Sequence, residues 1–318
     1  MVMPRRSVES KTRYDSFDIV ADSERDRKGW LAARDTGLGA SETAAIFGAN
    51  PWESPFTLYQ RKRGELEAQA DSEPMEWGRR LEAVVAEAFS DKTKREVWKH
   101  PLGGMLLRSR AFPWLLATPD YEQRAKRLAT DGLLECKTAG WMAAEDWSED
   151  VPLHYQIQVA QQLLVSGRKY ASVACLIGGQ QFKFKHIVRN EKFLATLVKK
   201  TKTFWDMVQA GTPPPIDASE STIATLKQMR EEKTVISLPP DVLRWHDQML
   251  AAAERRKAAE EEEKEAKREI SALMGLASRG LLPEGKGMYT FATKKGYDVK
   301  AHSVAPSRQL KFSIRTDV

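Results

Sequence analysis

The sequence predicts a mixed α/β fold followed by a C-terminal helical extension, and three observations support this. Segments with a helical apolar period, such as residues 75–89, alternate with short strand-like runs, such as residues 133–137. Two further strand-like runs are joined across Gly178-Gly179, which is typical of a hairpin. A long charged and alanine-rich stretch at residues 241–276 predicts a helix.

The first predicted elements are helices. Ser41 is expected to cap a short helix at residues 44–47. Ser54-Pro55 has the pattern of an N-cap followed by proline at the first helical position, and the helix of residues 75–89 comes next. In that helix Glu82 and Glu87 lie on opposite shoulders of the apolar stripe, so periodicity does not prefer either as a functional acid.

The second half is expected to be richer in strands. The predicted elements are, in order, strands at 112–118 and 133–137, a helix at 154–166, strands at 170–177 and 181–188, and a helix at 191–210. The prolines at 213–215 then mark a domain edge.

These elements define four segments. We expect a mobile, charge-rich arm at 1–28, a compact domain at 29–215, a helical extension at 216–283 and a basic tail at 284–318. The long helix has a weak heptad pattern with alanines and charges at the seam, so a solvated helical arm is favoured over a coiled coil.

Composition narrows the class of protein. The 318 residues are 42% hydrophobic and 30% charged, which is typical of a globular protein. The sequence has no apolar run of 18 residues and no apolar stretch at its N-terminus, so we expect a cytoplasmic protein without a membrane span. Two cysteines cannot form a four-cysteine zinc site or a cysteine-ligated iron–sulfur cluster.

The net charge of +6 is concentrated in the tail. Residues 284–318 contain seven Lys/Arg and three Asp/Glu, a balance of +4. A basic tail is compatible with nucleic-acid binding, although charge alone is equally compatible with a solvated tail.

The most informative pattern is Asp120 after Thr118-Pro119, followed by Glu135 and Lys137. In a strand Glu135 and Lys137 share one face, and placing the strands of 112–118 and 133–137 side by side brings Asp120 to the same edge. Two carboxylates can hold Mg²⁺, and a lysine beside them can stabilise developing negative charge. The simpler reading is a Glu–Lys pair on the surface of an edge strand.

With these residues the chain resembles the YqaJ-like viral recombinase and phage lambda-type exonuclease family, within the PD-(D/E)XK nuclease superfamily. The resemblance covers about residues 29–211. It rests on an ordered set of motifs: Trp30-x-x-x-Arg34, Gly39-Ala40-Ser41-Glu42, Asn50-Pro51-Trp52, Ser54-Pro55, Glu82, Ala117-Thr118-Pro119-Asp120, Glu135-Cys136-Lys137 and Tyr155-x-x-Gln158. It implies a restriction-endonuclease-like core, a central mixed sheet flanked by helices.

The resemblance also implies roles at the metal centre. It matches Asp120, Glu135 and the backbone carbonyl of Cys136 to metal ligands and Lys137 to the catalytic lysine. It matches Glu82 to an acid that helps bind a second metal or its water. Gln158 matches a glutamine that positions nucleophile or substrate. The implied cofactor is Mg²⁺, with two ions and Mn²⁺ as a possible substitute.

A second implied site binds the DNA end. Arg34, Ser41 and Thr118 match residues that bind the terminal 5′-phosphate, and Trp52 can stack on a base. From the residues alone, Ser41 is an N-cap and Arg34 a surface arginine.

The function implied is a Mg²⁺-dependent exonuclease that degrades double-stranded DNA from the 5′ end. It would release mononucleotides and leave 3′ single-stranded DNA for annealing-based recombination. The implied partners are DNA ends, a single-strand annealing protein and further copies in a trimeric ring. Two alternatives remain: an endonuclease or RecB-like nuclease of the same fold, and a catalytically silent DNA-end-binding protein. About 100 residues after Pro215 exceed the lambda-type core.

Overall fold

The computed structural model describes residues 15–66, 72–99, 101–125, 130–228 and 237–291. The chain divides into two compact units, and the boundary lies between residues 230 and 231. None of the helices in this described part of the chain is long and apolar enough to cross a membrane.

The first unit contains two sheets and seven helices among its described residues. Its strands are β1 (Phe17–Asp22), β2 (Leu38–Gly39), β3 (Glu96–Trp98), β4 (Met105–Ser109), β5 (Leu115–Ala117), β6 (Tyr121–Arg124), β7 (Gly132–Ala139), β8 (Tyr170–Ile177) and β9 (Gln181–Val188). Its helices are α1 (Arg27–Asp35), α2 (Thr43–Ile46), α3 (Pro55–Lys62), α4 (Glu73–Thr93), α5 (Leu153–Ser166), α6 (Glu191–Ala210) and α7 (Glu220–Gln228).

Both sheets are mixed. The first has the strand order β1-β4-β5-β2, with β2 and β5 parallel. The second has the order β3-β6-β7-β8-β9, and its parallel pair, β7 and β8, is connected through α5. A parallel pair needs such a crossover connection. A mixed sheet flanked by helices is the fold class expected from the sequence, and it is confirmed.

The five-stranded sheet is covered on both faces. Leu133 of β7 packs with Val159 of α5 in one apolar cluster. Its neighbours Leu134 and Cys136 pack with Phe89 of α4 in another. Successive side chains of β7 therefore alternate between the two covering helices, as a strand requires. This alternation decides which face carries each functional side chain.

Several predicted helix ends are confirmed by their capping contacts. The hydroxyl of Ser54 accepts the N–H of Thr57 at the start of α3. Asn190 caps α6 in the same way, and α6 ends at Gly211, whose φ of +71° is the left-handed conformation that glycine adopts without strain. The hairpin of β8 and β9 across Gly178-Gly179 is also confirmed.

Two expected strands are not neighbours. The runs at 112–118 and 133–137 were expected to lie side by side, but β5 and β7 belong to different sheets. The chain instead breaks at Pro119-Asp120 and starts a new strand, β6, which pairs antiparallel with β7. Because Asp120 immediately precedes β6, it still reaches β7.

Two expected segment boundaries also differ. The segment 1–28 was expected to be a mobile arm, but it contains β1, which pairs antiparallel with β4 and buries Phe17. The compact domain was expected to end at 215, yet α7 follows. A buried hydrogen bond of 2.7 Å between the hydroxyls of Ser54 and Thr222 links α7 to the start of α3.

The second unit contains a 33-residue helix, α8 (Val242–Met274), and a hairpin of β10 (Arg279–Leu281) and β11 (Met288–Thr290). The helix has no buried residue, which agrees with the expected solvated helix at 241–276. Within this unit, ion pairs one turn apart, such as Arg256 with Glu260 at 2.9 Å, support α8. Most of the expected basic tail, residues 292–318, lies outside the described residues.

Candidate active site

Asp120 and Glu135 lie across the β6–β7 pair. Tyr121 is opposite Leu134, and this register places the residue before β6 opposite Glu135. The Oδ2 atom of Asp120 accepts the backbone N–H of Cys136 at 2.8 Å. The turn at Pro119-Asp120 is thereby fastened to β7, and the two carboxylates share one edge.

Glu135 is nearly inaccessible to solvent and is held by three donors. Lys137 Nζ and Gln158 Nε2 both donate to its Oε1 atom, at 2.7 and 2.5 Å. Gln162 Nε2 donates to its Oε2 atom at 2.7 Å. Because α5 crosses over between β7 and β8, two amides one helical turn apart meet the same carboxylate.

Lys137 lies among carboxylates and beside an aromatic ring. Its Nζ is 4.8 Å from the centroid of the Tyr155 ring. Burial lowers the pKa of Lys137, but Glu135 and Asp120 outweigh burial and raise that pKa above its usual value. The amine is therefore charged at neutral pH and can stabilise an anion.

Glu82 of α4 belongs to the same electrostatic group. Burial and the charge of Glu135 raise the pKa of Glu82, against the lowering effect of Lys99. Burial, then Glu135 and Glu82, raise the pKa of Asp120 well above its usual value. Glu87, on the other shoulder of α4, is exposed. Of these two acids, Glu82 is the one that lies close enough to Glu135 for their charges to interact, a distinction that periodicity does not make.

The donor set suits a hard divalent cation. Within the described residues, no group of three or more His, Cys, Asp and Glu side chains is arranged to hold a metal as it stands. Both oxygens of Glu135 accept hydrogen bonds, from Lys137 and from the amides of Gln158 and Gln162. Yet burial and the neighbouring charge of Glu135 raise the pKa of both Asp120 and Glu82, and a cation would relieve this repulsion. Carboxylate oxygens are ligands that Mg²⁺ prefers.

Cys136 is not a thiolate ligand. Its side chain is buried on the α4 face of the sheet, away from Glu135. Burial, followed by the neighbouring carboxylates, raises the pKa of its thiol well above the usual value. The expected role of its backbone carbonyl as a metal ligand stays a prediction.

Arg34 and Ser41, which were expected to meet, do so. Arg34 Nη2 lies 3.4 Å from Ser41 Oγ. Ser41 is exposed within a 3₁₀ turn at Ala40–Glu42 and does not cap a helix, because Gly39 occupies the N-cap position of that turn and Glu42 that of α2. The expected capping role is wrong for this reason.

One helix connects this pair to the carboxylates. Gln161 of α5 donates to the carbonyls of Leu38 and Leu116 at 2.8 and 2.9 Å, while Gln162 of the same helix holds Glu135. Gln162 also donates to the carbonyl of Thr118 at 3.4 Å. Thr118, expected at the phosphate pocket, is therefore tied to the carboxylate edge.

Trp52 is a largely exposed ring beside the first turn of α5. Its side chain is 69% exposed, and its ring meets the ring of His154 edge-on at 5.2 Å. His154 in turn contacts Tyr155, the residue beside Lys137. Because the Trp52 indole is exposed and also contacts the His154 ring, it can stack on a base.

Sequence reasoning missed Gln162. Its amide makes the same kind of contact to Glu135 as the expected Gln158. A signal was available, because Gln162 follows Gln158 by four residues and so shares its helix face.

Comparison with known proteins finds a matching domain and a homologous protein. The model of the YqaJ-like viral recombinase domain matches residues 29–169. The uncharacterized protein YqaJ of Bacillus subtilis (strain 168) is 32% identical over 219 residues, 67% of this chain and 66% of that protein. The chain spans just under two thirds of that relative's length. The chain thus contains a region that matches the YqaJ-like viral recombinase domain, and it is homologous to YqaJ.

Solved structures of two exonucleases are similar in fold. The alkaline exonuclease LHK-Exo of Laribacter hongkongensis is 19% identical, with a TM-score of 0.46 over 57% of this chain and 93% of that one. A phage-related exonuclease from Haemophilus somnus 129PT is 10% identical, with a TM-score of 0.42 over 55% and 96%.

Proposed function

We propose that this protein is a Mg²⁺-dependent exonuclease that degrades double-stranded DNA from the 5′ end. It would release 5′-mononucleotides and leave a 3′ single strand for an annealing protein. The observation that carries this proposal is the cluster of Asp120, Glu135 and Lys137 at one sheet edge. The same helix, α5, ties this edge to the segment that carries Ser41.

Each residue of the cluster has a role in hydrolysis. Asp120 and Glu135, with the Cys136 carbonyl and Glu82, would hold the ions. Bound Mg²⁺ polarises the scissile phosphate and lowers the pKa of water. Lys137, charged at neutral pH, orients the attacking water and stabilises the negative charge that develops on the phosphate. Gln158 acts through Glu135, whose orientation it fixes.

The end-binding residues would set the polarity. An arginine can bind a phosphate through two parallel hydrogen bonds, and the hydroxyls of Ser41 and Thr118 can add donors. Trp52 would stack on a base beside the scissile nucleotide. A terminal 5′-phosphate held here presents the first phosphodiester bond to the carboxylates.

The test uses a linear duplex with a 5′-phosphate or a 5′-hydroxyl, labelled separately at each end, beside a covalently closed circle. We expect Mg²⁺-dependent release of mononucleotides from phosphorylated 5′ ends, with Mn²⁺ as a substitute. Lys137→Ala should lower the rate by about 10² or more. Cutting of the circle would instead identify an endonuclease, and end binding without any cutting would identify a silent binding protein.

We also propose that the protein forms a ring-shaped homotrimer around DNA and delivers the 3′ strand to a single-strand annealing protein in the cytoplasm. Both the ring and the annealing partner are implied by the motif resemblance described under Sequence analysis. Mass measurement in the presence of a DNA end should give three copies, and a monomer would contradict the ring.

A further inference from the structure

Glu42 carries a buried carboxylate that gathers several donors. The residue is 3% exposed. Its carboxylate accepts the backbone N–H of Gly39 at 2.8 Å and lies 3.2 Å from Arg34 Nη2, 3.0 Å from Arg61 Nη1 and 2.8 Å from Lys62 Nζ. Burial raises the pKa of Glu42, but the three cations outweigh burial and hold that pKa well below its usual range. The group is therefore ionised.

The cluster of charged side chains around Glu42 has a net positive charge. Three cations, Arg34, Arg61 and Lys62, face two carboxylates, Glu42 and Glu53. Arg61 is bound by Glu53 through two hydrogen bonds of 2.9 and 3.1 Å. The side chain of Lys62 has no exposed surface, whereas that of Arg34 is 25% exposed. The surplus positive charge is therefore available to an anion at Arg34.

The guanidinium of Arg34 is held from several sides. It lies 4.8 Å from the centroid of the Trp30 ring, and its Nη2 contacts both Glu42 and the Ser41 hydroxyl. A Cβ atom at Gly39 would lie 3.3 Å from the same Nη2 atom, so glycine allows the turn to approach the arginine. An arginine held in this way loses little conformational entropy on binding a phosphate.

We infer that Glu42 is a positioning residue that orients Arg34 and the Gly39–Ser41 turn for recognition of a terminal 5′-phosphate. The inference rests on the proposed function. Glu42 acts through Arg34 and does not touch the phosphate, because a carboxylate there would repel it. The donors from Arg34, Arg61, Lys62 and Gly39 neutralise Glu42, and this makes a carboxylate tolerable beside an anion site.

The test compares Glu42→Gln with Glu53→Gln. Both variants remove one carboxylate from the cluster, but Glu53 is paired with Arg61 and not with Arg34. The readout is the ratio of cleavage rates on duplexes with 5′-phosphate and 5′-hydroxyl ends. We expect Glu42→Gln to lower this ratio about tenfold, the loss typical of one charge-assisted hydrogen bond. Glu53→Gln should keep the wild-type ratio. A purely structural role for Glu42 would slow both substrates equally and leave the ratio unchanged.

A second variant guards against misfolding. Glu42→Gln leaves the buried Lys62 without its carboxylate, and an unpaired buried charge is strongly destabilising. The double variant Glu42→Gln/Lys62→Met removes one negative and one positive charge, so the net positive charge of the cluster stays the same. A folded double variant that retains the wild-type ratio would overturn the inference. If wild-type protein shows no preference for 5′-phosphate, the proposed end-binding function fails, whatever Glu42 does.

Discussion

The carboxylate of Asp120 accepts the backbone N–H of Cys136 at 2.8 Å, and this bond joins the turn before β6 to the centre of β7. It leaves the carboxylate close to Glu135 and Glu82, and these two charges together with burial raise the pKa of Asp120 well above its usual value. The site is therefore under electrostatic strain that the fold maintains and a divalent cation can relieve.

Asp120→Asn should stabilise the metal-free protein. The amide oxygen can still accept the Cys136 N–H, while the repelled charge is removed. We expect the melting temperature at pH 8 to rise by about 4 °C. Mg²⁺ should raise the melting temperature of wild type but not of the variant, because binding to the native state alone stabilises it.

The stability difference between Asp120→Asn and wild type should depend on pH, because the pKa of Asp120 is higher in the native than in the unfolded state. At pH 3 and below, Asp120 is protonated in most native and unfolded molecules, so the variant and wild type should melt alike. As the pH rises, the unfolded chain loses this proton first, and wild type loses stability until the raised native pKa is passed. The difference between the variant and wild type should therefore grow from acid to neutral pH. A difference that is equal at every pH would contradict this account.

Glu82 and Glu87 offer a matched pair on α4. Only Glu82 of the two faces the carboxylate edge, and Glu87 is exposed. Glu82→Gln should lower the rate of nucleotide release about tenfold or more and raise the Mg²⁺ concentration needed for half-maximal rate. Glu87→Gln should change neither. Equal effects of the two substitutions would remove Glu82 from the site.

The basic tail should strengthen DNA binding. A chain ending at Phe291 keeps the β10–β11 hairpin and loses residues 292–318, with six Lys/Arg and two Asp/Glu. Affinity for duplex DNA should fall, and the slope of log K against log salt should flatten by about one for each lysine or arginine that contacts a phosphate. The full-length Lys294→Gln/Lys295→Gln variant should show part of the same change. An unchanged slope and affinity would assign the tail another role.

Local patterns predicted much of the fold because they act within one element. The period of two in β7 places Glu135 and Lys137 together and Cys136 opposite, and the structure confirms this. Caps and glycines similarly determine the ends of α3 and α6. Strand pairing depends on distant residues, so the break at Pro119 and the separation of β5 from β7 were not predictable.

The unpredicted strand β1 illustrates the same limit. Only Phe17 of its six residues is fully buried, while Ile19 and Val20 are exposed, so its sequence has no alternating pattern. Its pairing with β4 depends on tertiary context. Tertiary context also decides which of Glu82 and Glu87 lies near Glu135, since this depends on the position of α4 against β7.

Gln162 contacts Glu135, and the sequence patterns did not predict this contact. Its Nε2 donates to Glu135 Oε2 at 2.7 Å. Gln162→Leu keeps the approximate volume and removes this donor, so Glu135 loses part of its orientation. We expect the rate at saturating Mg²⁺ to fall about tenfold, a loss comparable to one hydrogen bond to a charged group. The half-maximal Mg²⁺ concentration should change as well, which a general loss of stability would not cause.

The control for Gln162 lies on the same helix. Gln156 of α5 donates to the carbonyl of Val151 at 2.6 Å and does not contact Glu135. Gln156→Leu should leave the Mg²⁺ dependence unchanged even if the first turn of α5 becomes less stable. If Gln162→Leu has the wild-type rate and Mg²⁺ dependence, Lys137 and Gln158 suffice to orient Glu135. A shift confined to Gln162→Leu would instead show that both oxygens of Glu135 must be held for the carboxylate to receive the ion.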